Sequence, residues 1–149
     1  MGNKRFPLFV DLTGRAAVVV GGGTVGLRRA GVLRSFGALV TVVSPSLSRD
    51  LEGIRHVARA YMPGDLAGAF LAVAATNDPA ANSAVEEEAR RLGIFCNRSD
   101  DPDRCDFFFP AVCEGNGLVA GLVGGGDHKK TARMAGEIRK ILESSKDDA

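Results

Sequence analysis

The chain has 149 residues, which is enough for one domain with a core that needs no disulfide or metal. Its formal net charge of +1 argues against a general nucleic-acid binder, because such domains carry a clear excess of basic residues. Cys96, Cys105 and Cys113 match no zinc-binding pattern, no apolar run approaches the ~20 residues of a membrane span, and no signal peptide is recognisable. We therefore expect a cytoplasmic protein with reduced thiols and no metal, nucleic-acid or membrane partner.

Short apolar runs alternate with helical patterns over the first hundred residues. The predicted strands are residues 15–20, 39–43, 57–61, 71–75 and 94–97. The predicted helices are 24–36, 47–54, 66–70 and 79–92, the last with Asp78 as N-cap and Pro79 at its first position. This alternation is typical of a doubly wound parallel α/β sheet of the Rossmann type.

The pattern changes after residue 98. Residues 107–112 and 118–123 predict a β-hairpin, and residues 129–143 predict a final helix. We expect residues 1–112 to form a Rossmann-type domain and residues 113–149 to form a short strand-and-helix extension of it, not a separate domain.

The first strand leads directly into Gly21-x-Gly23-x-x-Gly26, the glycine pattern of dinucleotide-binding loops. The first glycine allows a tight turn, the second lets the backbone approach a pyrophosphate, and the third lets the helix pack close to the sheet. The alternative is a glycine-rich turn without a ligand, which the strand and helix on either side make less favoured. Predicted cofactor contacts come from this loop and from the ends of two later strands: Gly21, Gly23, Thr24, Val25, Gly26, Ser44, Thr76 and Asn77.

The second strand ends at Ser44, where an NAD site usually carries an acidic residue. A serine hydroxyl can bind a ribose hydroxyl and does not repel a 2′-phosphate. NAD is the predicted cofactor, and NADP is not excluded.

Together these segments resemble the precorrin-2 dehydrogenases, including the N-terminal part of sirohaem synthases. The matching segments are FPLFVDL (6–12), VVVGGGTVGLRRA (18–30), VVSP (42–45), AATND (74–78), IFCNRSD (94–100) and FFPA (108–111). The resemblance covers about residues 6 to 143. It implies NAD-dependent oxidation of the tetrapyrrole precorrin-2 to sirohydrochlorin, with ferrochelatase activity in some members, and it implies that one aspartate, here Asp100, carries the chemistry.

A carboxylate at Asp100 makes chemical sense, because it follows a strand at the edge of the sheet where ligands bind. A base there would accept protons from the tetrapyrrole as hydride leaves. The alternative for Asp100 is a solvated loop charge, which is the interpretation we keep for Asp101 and Asp103.

The tetrapyrrole substrate bears eight carboxylates and needs basic or polar partners. The candidates lie after the last strand of the sheet and near the final helix: Asn97, Arg98, Arg104, Lys129 and Lys130. For Lys129 and Lys130 a solvated helix face is an equally good interpretation.

The chain departs from the family at Val123-Gly124-Gly125-Gly126-Asp127, where members usually carry a Ser/Thr-Gly-Gly-x-Ser-Pro stretch, and it has one final helix where fuller members have a longer helical region. We expect a homodimer formed through residues 107–109 and the strand after them. Two alternatives to the dehydrogenase stay open: a non-catalytic NAD(P)-binding sensor or subunit of a tetrapyrrole enzyme, and another small-molecule dehydrogenase. The latter ranks last, because such an enzyme would normally need a histidine or a Tyr-Lys pair as its acid/base. Here Tyr61 stands alone and the histidines are poorly placed.

Overall fold

The computed structural model describes residues 3–144, in two compact units. One unit is residues 10–107, and the other combines residues 3–9 with 108–144. Residues 1, 2 and 145–149 of the predicted domains lie outside the described residues. The predicted partition at residue 112, with an extension and not a second domain, stays a prediction.

The unit of residues 10–107 is built on a five-stranded parallel sheet with strand order β3-β2-β1-β4-β5. The strands are β1 Ala16–Val20, β2 Leu39–Val43, β3 Arg55–Val57, β4 Leu71–Ala74 and β5 Phe95–Arg98. β1 lies between β2 and β4, and its residues from Ala17 to Val20 are buried, as expected for a strand covered on both faces. The predicted parallel α/β sheet of the Rossmann type is confirmed.

Two helices cover this sheet. Helix α1 (Thr24–Ser35) joins β1 to β2, and helix α2 (Pro79–Leu92) joins β4 to β5. The two crossovers run in opposite directions along the sheet, so their right-handed sense puts the helices on opposite faces. The Asp78 carboxylate accepts from the Ala80 N–H at 2.9 Å, and Gly93 ends α2 in the left-handed region, so both predicted ends of α2 are confirmed.

Two short helices predicted between β2 and β4 are wrong. Residues 47–54 and 66–70 form turns and bends, and β3 lies at Arg55–Val57 instead of at 57–61. Gly53, Gly64 and Gly68 have positive φ angles of 74°, 101° and 77°, which interrupt a helix.

The unit of residues 3–9 and 108–144 contains an antiparallel hairpin and one helix. The hairpin pairs β6 (Ala111–Gly115) with β7 (Leu118–Leu122), and helix α3 spans His128–Ser144. The predicted hairpin exists, but its first strand begins four residues later than expected. Asn116 and Gly117, with φ angles of 51° and 76°, form a two-residue turn that sets Gly115 opposite Leu118.

No helix within residues 3–144 is both long enough and apolar enough to cross a membrane.

Candidate functional site

The carboxyl ends of the parallel strands meet at one edge of the sheet. The strand order reverses between β1 and β4, and the crevice at such a switch point is where open α/β sheets bind ligands. The Gly21–Gly23 loop follows β1, Ser44 follows β2, Thr76 lies two residues past β4, and Asp100 lies two residues past β5. The fold therefore places most of the predicted site residues at one edge.

Three glycines at this edge lie so close to neighbouring backbone atoms that a side chain at any of them would overlap those atoms. A Cβ on Gly21, whose φ is 122°, would overlap the carbonyl oxygen of Ala75, and one on Gly26 would overlap the carbonyl oxygen of Gly21. A Cβ on Gly22 would overlap the Ser46 carbonyl oxygen and lie 2.8 Å from the Ser44 hydroxyl. Gly26 has the predicted role of close helix packing. Gly22, which the motif leaves unspecified, proves to be equally constrained by the loop after β2.

Gly23 differs from these three because a Cβ there would meet no protein atom within 4 Å. It is the N-cap residue of α1, and no side chain caps this end. The first turn of α1 contains no acidic residue, so no carboxylate of this turn competes for the amides of Thr24, Val25 and Gly26. An open glycine before an uncapped helix N-terminus fits the pyrophosphate of a dinucleotide, which binds free N–H groups and the positive end of the helix dipole.

Ser44 lies half-buried at the end of β2 beside this loop. Its hydroxyl donates to the carbonyl oxygen of Ser46 at 2.8 Å, while its own carbonyl oxygen accepts from His56 Nε2 at 2.8 Å. The Ser48 N–H donates to the Gly22 carbonyl at 2.8 Å, which closes residues 44–48 against the glycine loop. With its proton engaged, the Ser44 oxygen is left as an acceptor.

Thr76 follows β4 and is held by helix α2. Its N–H and its hydroxyl lie 3.1 Å and 2.8 Å from Asn82 Oδ1, and Asn82 Nδ2 donates to the Thr76 carbonyl at 3.1 Å. Asn82 is 1% exposed. Asn77 is exposed next to Thr76. Asn82 is thus the residue that fixes the shape of this strand end, and the sequence pattern did not single it out.

Asn97 points from β5 towards α1. It is 3% exposed, its Oδ1 accepts from Arg29 Nη1 at 2.6 Å, and its Nδ2 donates to the Phe107 carbonyl at 2.9 Å. Burial lowers the pKa of the Arg29 guanidinium. Asn97 therefore ties α1 to the segment after β5, and Arg29 is a second residue that the sequence pattern missed.

Arg98 points to the opposite face and is 6% exposed. Its Nε donates to Asp100 Oδ1 at 3.0 Å and its Nη2 donates to Asp100 Oδ2 at 2.9 Å. This paired contact is the main reason that the pKa of Asp100 lies below its ordinary value, and a hydrogen bond with Asn82 adds to it. The candidate catalytic carboxylate is thus held ionised by its own neighbour.

Glu86 on α2 anchors the other side of Arg98. It is 3% exposed and accepts from Arg98 Nη1 at 2.8 Å, from Arg104 Nε at 2.9 Å and from Arg90 Nη2 at 2.5 Å. Burial acts to raise the pKa of Glu86, but the hydrogen bonds from Arg104 and Arg98 outweigh it and hold the pKa at about 2. The only sequence signal for a role of Glu86 is that it follows Asn82 by one helical turn, which puts both residues on the same face of α2.

Lys129 and Lys130 lie in the other unit, in the first turn of α3, and are exposed. The Lys130 N–H donates to Asp127 Oδ1 at 2.9 Å, so Asp127 caps this helix. Arg104, in the short turn Pro102–Arg104, keeps 48% of its side chain exposed.

Comparison with known proteins agrees with this architecture. A family model described as "Putative NAD(P)-binding" (NAD_binding_7) matches residues 8–111. The "Probable multifunctional siroheme biosynthesis protein HemA" of Ruminiclostridium josui is 39% identical over 149 residues, with 95% of this chain and 29% of that protein covered. "Siroheme synthase 2" of Aeromonas hydrophila subsp. hydrophila is 38% identical over 142 residues, with 93% of this chain and 30% of that protein covered. This chain thus spans about a third of the length of these relatives.

A solved structure titled "SirC, precorrin-2 dehydrogenase" superimposes with a TM-score of 0.75 at 26% identity, covering 93% of this chain and 72% of that one. The family model, which matches more than half of the chain, includes the glycine loop, Ser44, Thr76 and Asp100. The chain therefore belongs to this family of NAD(P)-binding domains, and a nicotinamide dinucleotide is the class of its cofactor.

Proposed function

We propose that this chain oxidises precorrin-2 to sirohydrochlorin, with NAD as the hydride acceptor. The observation that carries the proposal is the placement of the Asp100 carboxylate at the same sheet edge as the open dinucleotide loop. Similarity to a precorrin-2 dehydrogenase and to sirohaem synthases supports the choice of substrate.

The reaction removes two hydrogens from the substrate, one as hydride and one as a proton. Bound NAD supplies the hydride acceptor. The chain's own contribution is to bind and orient: Gly23 and the first turn of α1 receive the pyrophosphate, Ser44 receives the adenosine ribose, and Thr76 and Asn77 lie near the nicotinamide end. Asp100 faces the tetrapyrrole as the catalytic carboxylate.

Among the basic candidates, Arg104 is best placed to bind a substrate carboxylate. It belongs to the same unit as Asp100 and keeps half of its side chain exposed, whereas Arg98 and Asn97 are buried and bonded to protein groups. We assign Arg98 and Asn97 supporting roles. Lys129 and Lys130 stay predicted substrate contacts.

We expect NAD to bind more tightly than NADP, because the Ser44 oxygen is left as an acceptor. The 2′-hydroxyl of NAD can donate to it, whereas the 2′-phosphate of NADP offers only acceptors. One such hydrogen bond corresponds to a preference of roughly tenfold. Titration calorimetry with both cofactors measures this preference, which Ser44→Ala should remove and Ser35→Ala, at the far end of α1, should leave unchanged. Tighter binding of NADP by the wild type would refute the assignment.

We also propose that the protein is a homodimer. Within residues 3–9 and 108–144 only Cys113, Ala135 and Leu142 are buried hydrophobic residues. Large apolar side chains stay exposed in the same unit: Phe6, Leu8, Phe9, Leu118, Val119, Val123, Met134 and Ile141. A hairpin and one helix form a marginal core, and a second copy would cover this surface. Light scattering after size exclusion should give twice the mass of the 149-residue chain, and a monomer at every concentration would contradict the proposal.

The direct test of the function is anaerobic turnover of precorrin-2 with NAD, followed by the absorbance of the reduced cofactor and the spectrum of sirohydrochlorin. We expect one reduced cofactor for each sirohydrochlorin formed. Tight NAD binding without turnover would overturn the dehydrogenase proposal and favour a nucleotide-binding sensor or subunit.

A further inference from the structure

Glu86 is a buried carboxylate to which the proposed reaction gives no direct part. It lies in the middle of α2 and accepts hydrogen bonds from Arg90, Arg98 and Arg104. A carboxylate taken out of water is costly unless it is paired, so an arrangement with three arginines around one buried acid needs a reason.

The hydrogen bonds that Arg98 makes with groups other than Glu86 explain this arrangement. All three nitrogens of its guanidinium are engaged: Nη1 with Glu86 at 2.8 Å and Ser83 at 3.2 Å, and Nε and Nη2 with the two oxygens of Asp100 at 3.0 Å and 2.9 Å. Since Glu86 fixes one side of the planar guanidinium, the other side can present its two N–H groups to Asp100 in one orientation only.

This contact decides which form of Asp100 is stable. Both carboxylate oxygens accept from Arg98, so a proton on either oxygen would displace a charge-assisted hydrogen bond. The side chains that act on Asp100 directly are Arg98 on β5 and Asn82 on α2. Arg98 is held in turn by Ser83 and Glu86 on α2, and Glu86 also accepts from Arg104 in the turn Pro102–Arg104. The three arginines outnumber the two carboxylates, Glu86 and Asp100, which favours the ionised form of both acids.

Such a carboxylate suits charge stabilisation better than proton transfer. A general base works best when its pKa is near the working pH, and the pKa of Asp100 is lowered by Arg98. When hydride leaves a carbon of the tetrapyrrole, the macrocycle is left with one positive charge until a proton departs. A fixed anion at this edge lowers the energy of that cationic stage without reorganisation.

We propose that Arg98, anchored by Glu86, is a positioning residue that holds Asp100 as an ionised carboxylate, and that Asp100 stabilises the cation left by hydride transfer instead of accepting the proton. In this scheme the hydride carries two electrons from the substrate to NAD, the proton goes to solvent, and Asp100 keeps its protonation state throughout. The inference rests on the proposed function, and it revises the role of proton acceptor that the sequence suggested.

The test compares the full-length wild type with Arg98→Gln and with Arg91→Gln. Arg91 is a matched control on α2, since it is exposed and reaches Glu88 only at 3.9 Å. In Arg98→Gln the Glu86 carboxylate still has Arg90 and Arg104, so it is not left unpaired. Arg98→Lys, which keeps the charge but loses the two-point contact, is a second variant should the first fold poorly.

The first readout is the carbon-13 resonance of the Asp100 carboxyl group during a pH titration, assigned with Asp100→Asn. We expect its midpoint to rise by at least about one pH unit in Arg98→Gln and to stay unchanged in Arg91→Gln. The second readout is the pH dependence of kcat. The wild type should keep its activity to a lower pH than Arg98→Gln, because Asp100 with its lowered pKa stays ionised after the carboxyl group of the variant has begun to take up a proton.

Failure of the inference and failure of the proposed function are separable. An unchanged Asp100 midpoint in Arg98→Gln, or an unchanged pH profile with normal turnover, would overturn the role of Arg98. A fall in wild-type activity between pH 8 and pH 5 that disappears in Asp100→Asn would show that Asp100 takes up a proton in the working range and would overturn the charge-stabilising role. A wild type that never oxidises precorrin-2 would instead overturn the proposed function.

Discussion

Replacing Asp100 with asparagine should lower kcat for precorrin-2 oxidation by about 10²- to 10³-fold, the loss typical when one group that stabilises transition-state charge is removed. Asparagine keeps the size of the side chain but removes the negative charge that faces the substrate. The glycine loop and Ser44 are untouched, so the Kd for NAD should stay within about twofold of the wild type. Anaerobic steady-state kinetics and calorimetric NAD binding provide the two measurements.

The matched control is Asp103→Asn, which removes an exposed carboxylate from the turn after β5. It should leave both kcat and the Kd for NAD unchanged. If Asp100→Asn retained wild-type kcat, the assignment of Asp100 as the catalytic carboxylate would fail. If it lost NAD binding together with turnover, Asp100 would belong to the cofactor site instead.

The second prediction with a large effect is that alanine substitutions at two glycines of the same loop, Gly23 and Gly21, have different consequences. Gly23→Ala places a methyl group where no protein atom lies within 4 Å, so the protein should unfold at the wild-type temperature. The same methyl group would stand where the pyrophosphate approaches the backbone, and we expect the Kd for NAD to rise at least tenfold, a loss of about 1.4 kcal/mol. Thermal unfolding without cofactor and NAD titration measure the two effects.

Gly21→Ala, in contrast to Gly23→Ala, should lower the stability of the protein. Its Cβ would overlap the Ala75 carbonyl oxygen, and its φ of 122° is strained for alanine, so we expect a loss of at least about 2 kcal/mol in the free energy of unfolding. Equal destabilisation by both variants would show that Gly23 is needed for folding and would remove the argument for an open cofactor cradle. Unchanged NAD affinity in a stable Gly23→Ala protein would place the pyrophosphate elsewhere.

Local sequence patterns predicted the elements whose signals lie within their own residues. The apolar runs of β1, β2 and β4 and the Asp78-Pro79 start of α2 were recognised because burial on both faces and helix capping leave direct marks in the sequence. The helices predicted at 47–54 and 66–70 are wrong, because Gly53 and Gly68 have positive φ angles, which a right-handed helix does not accommodate. The hairpin was shifted because the Asn116-Gly117 turn, and not the apolar run before it, sets the register.

The class of fold and the dinucleotide loop could be predicted from the sequence, since both depend on residues that are neighbours in the chain or on strand ends that a parallel sheet must bring together. Asp100 was singled out by the resemblance to the precorrin-2 dehydrogenases, because its position after a strand also fits a solvated loop charge. How the Asp100 carboxylate is held could not be predicted from the sequence. Arg98 meets Glu86 twelve residues away, and Arg29 meets Asn97 across 68 residues. Such contacts depend on which faces of β5, α1 and α2 come together, and the spacing along the chain does not reveal this. In the mechanism that we propose, this packing is what holds Asp100 as a fixed anion.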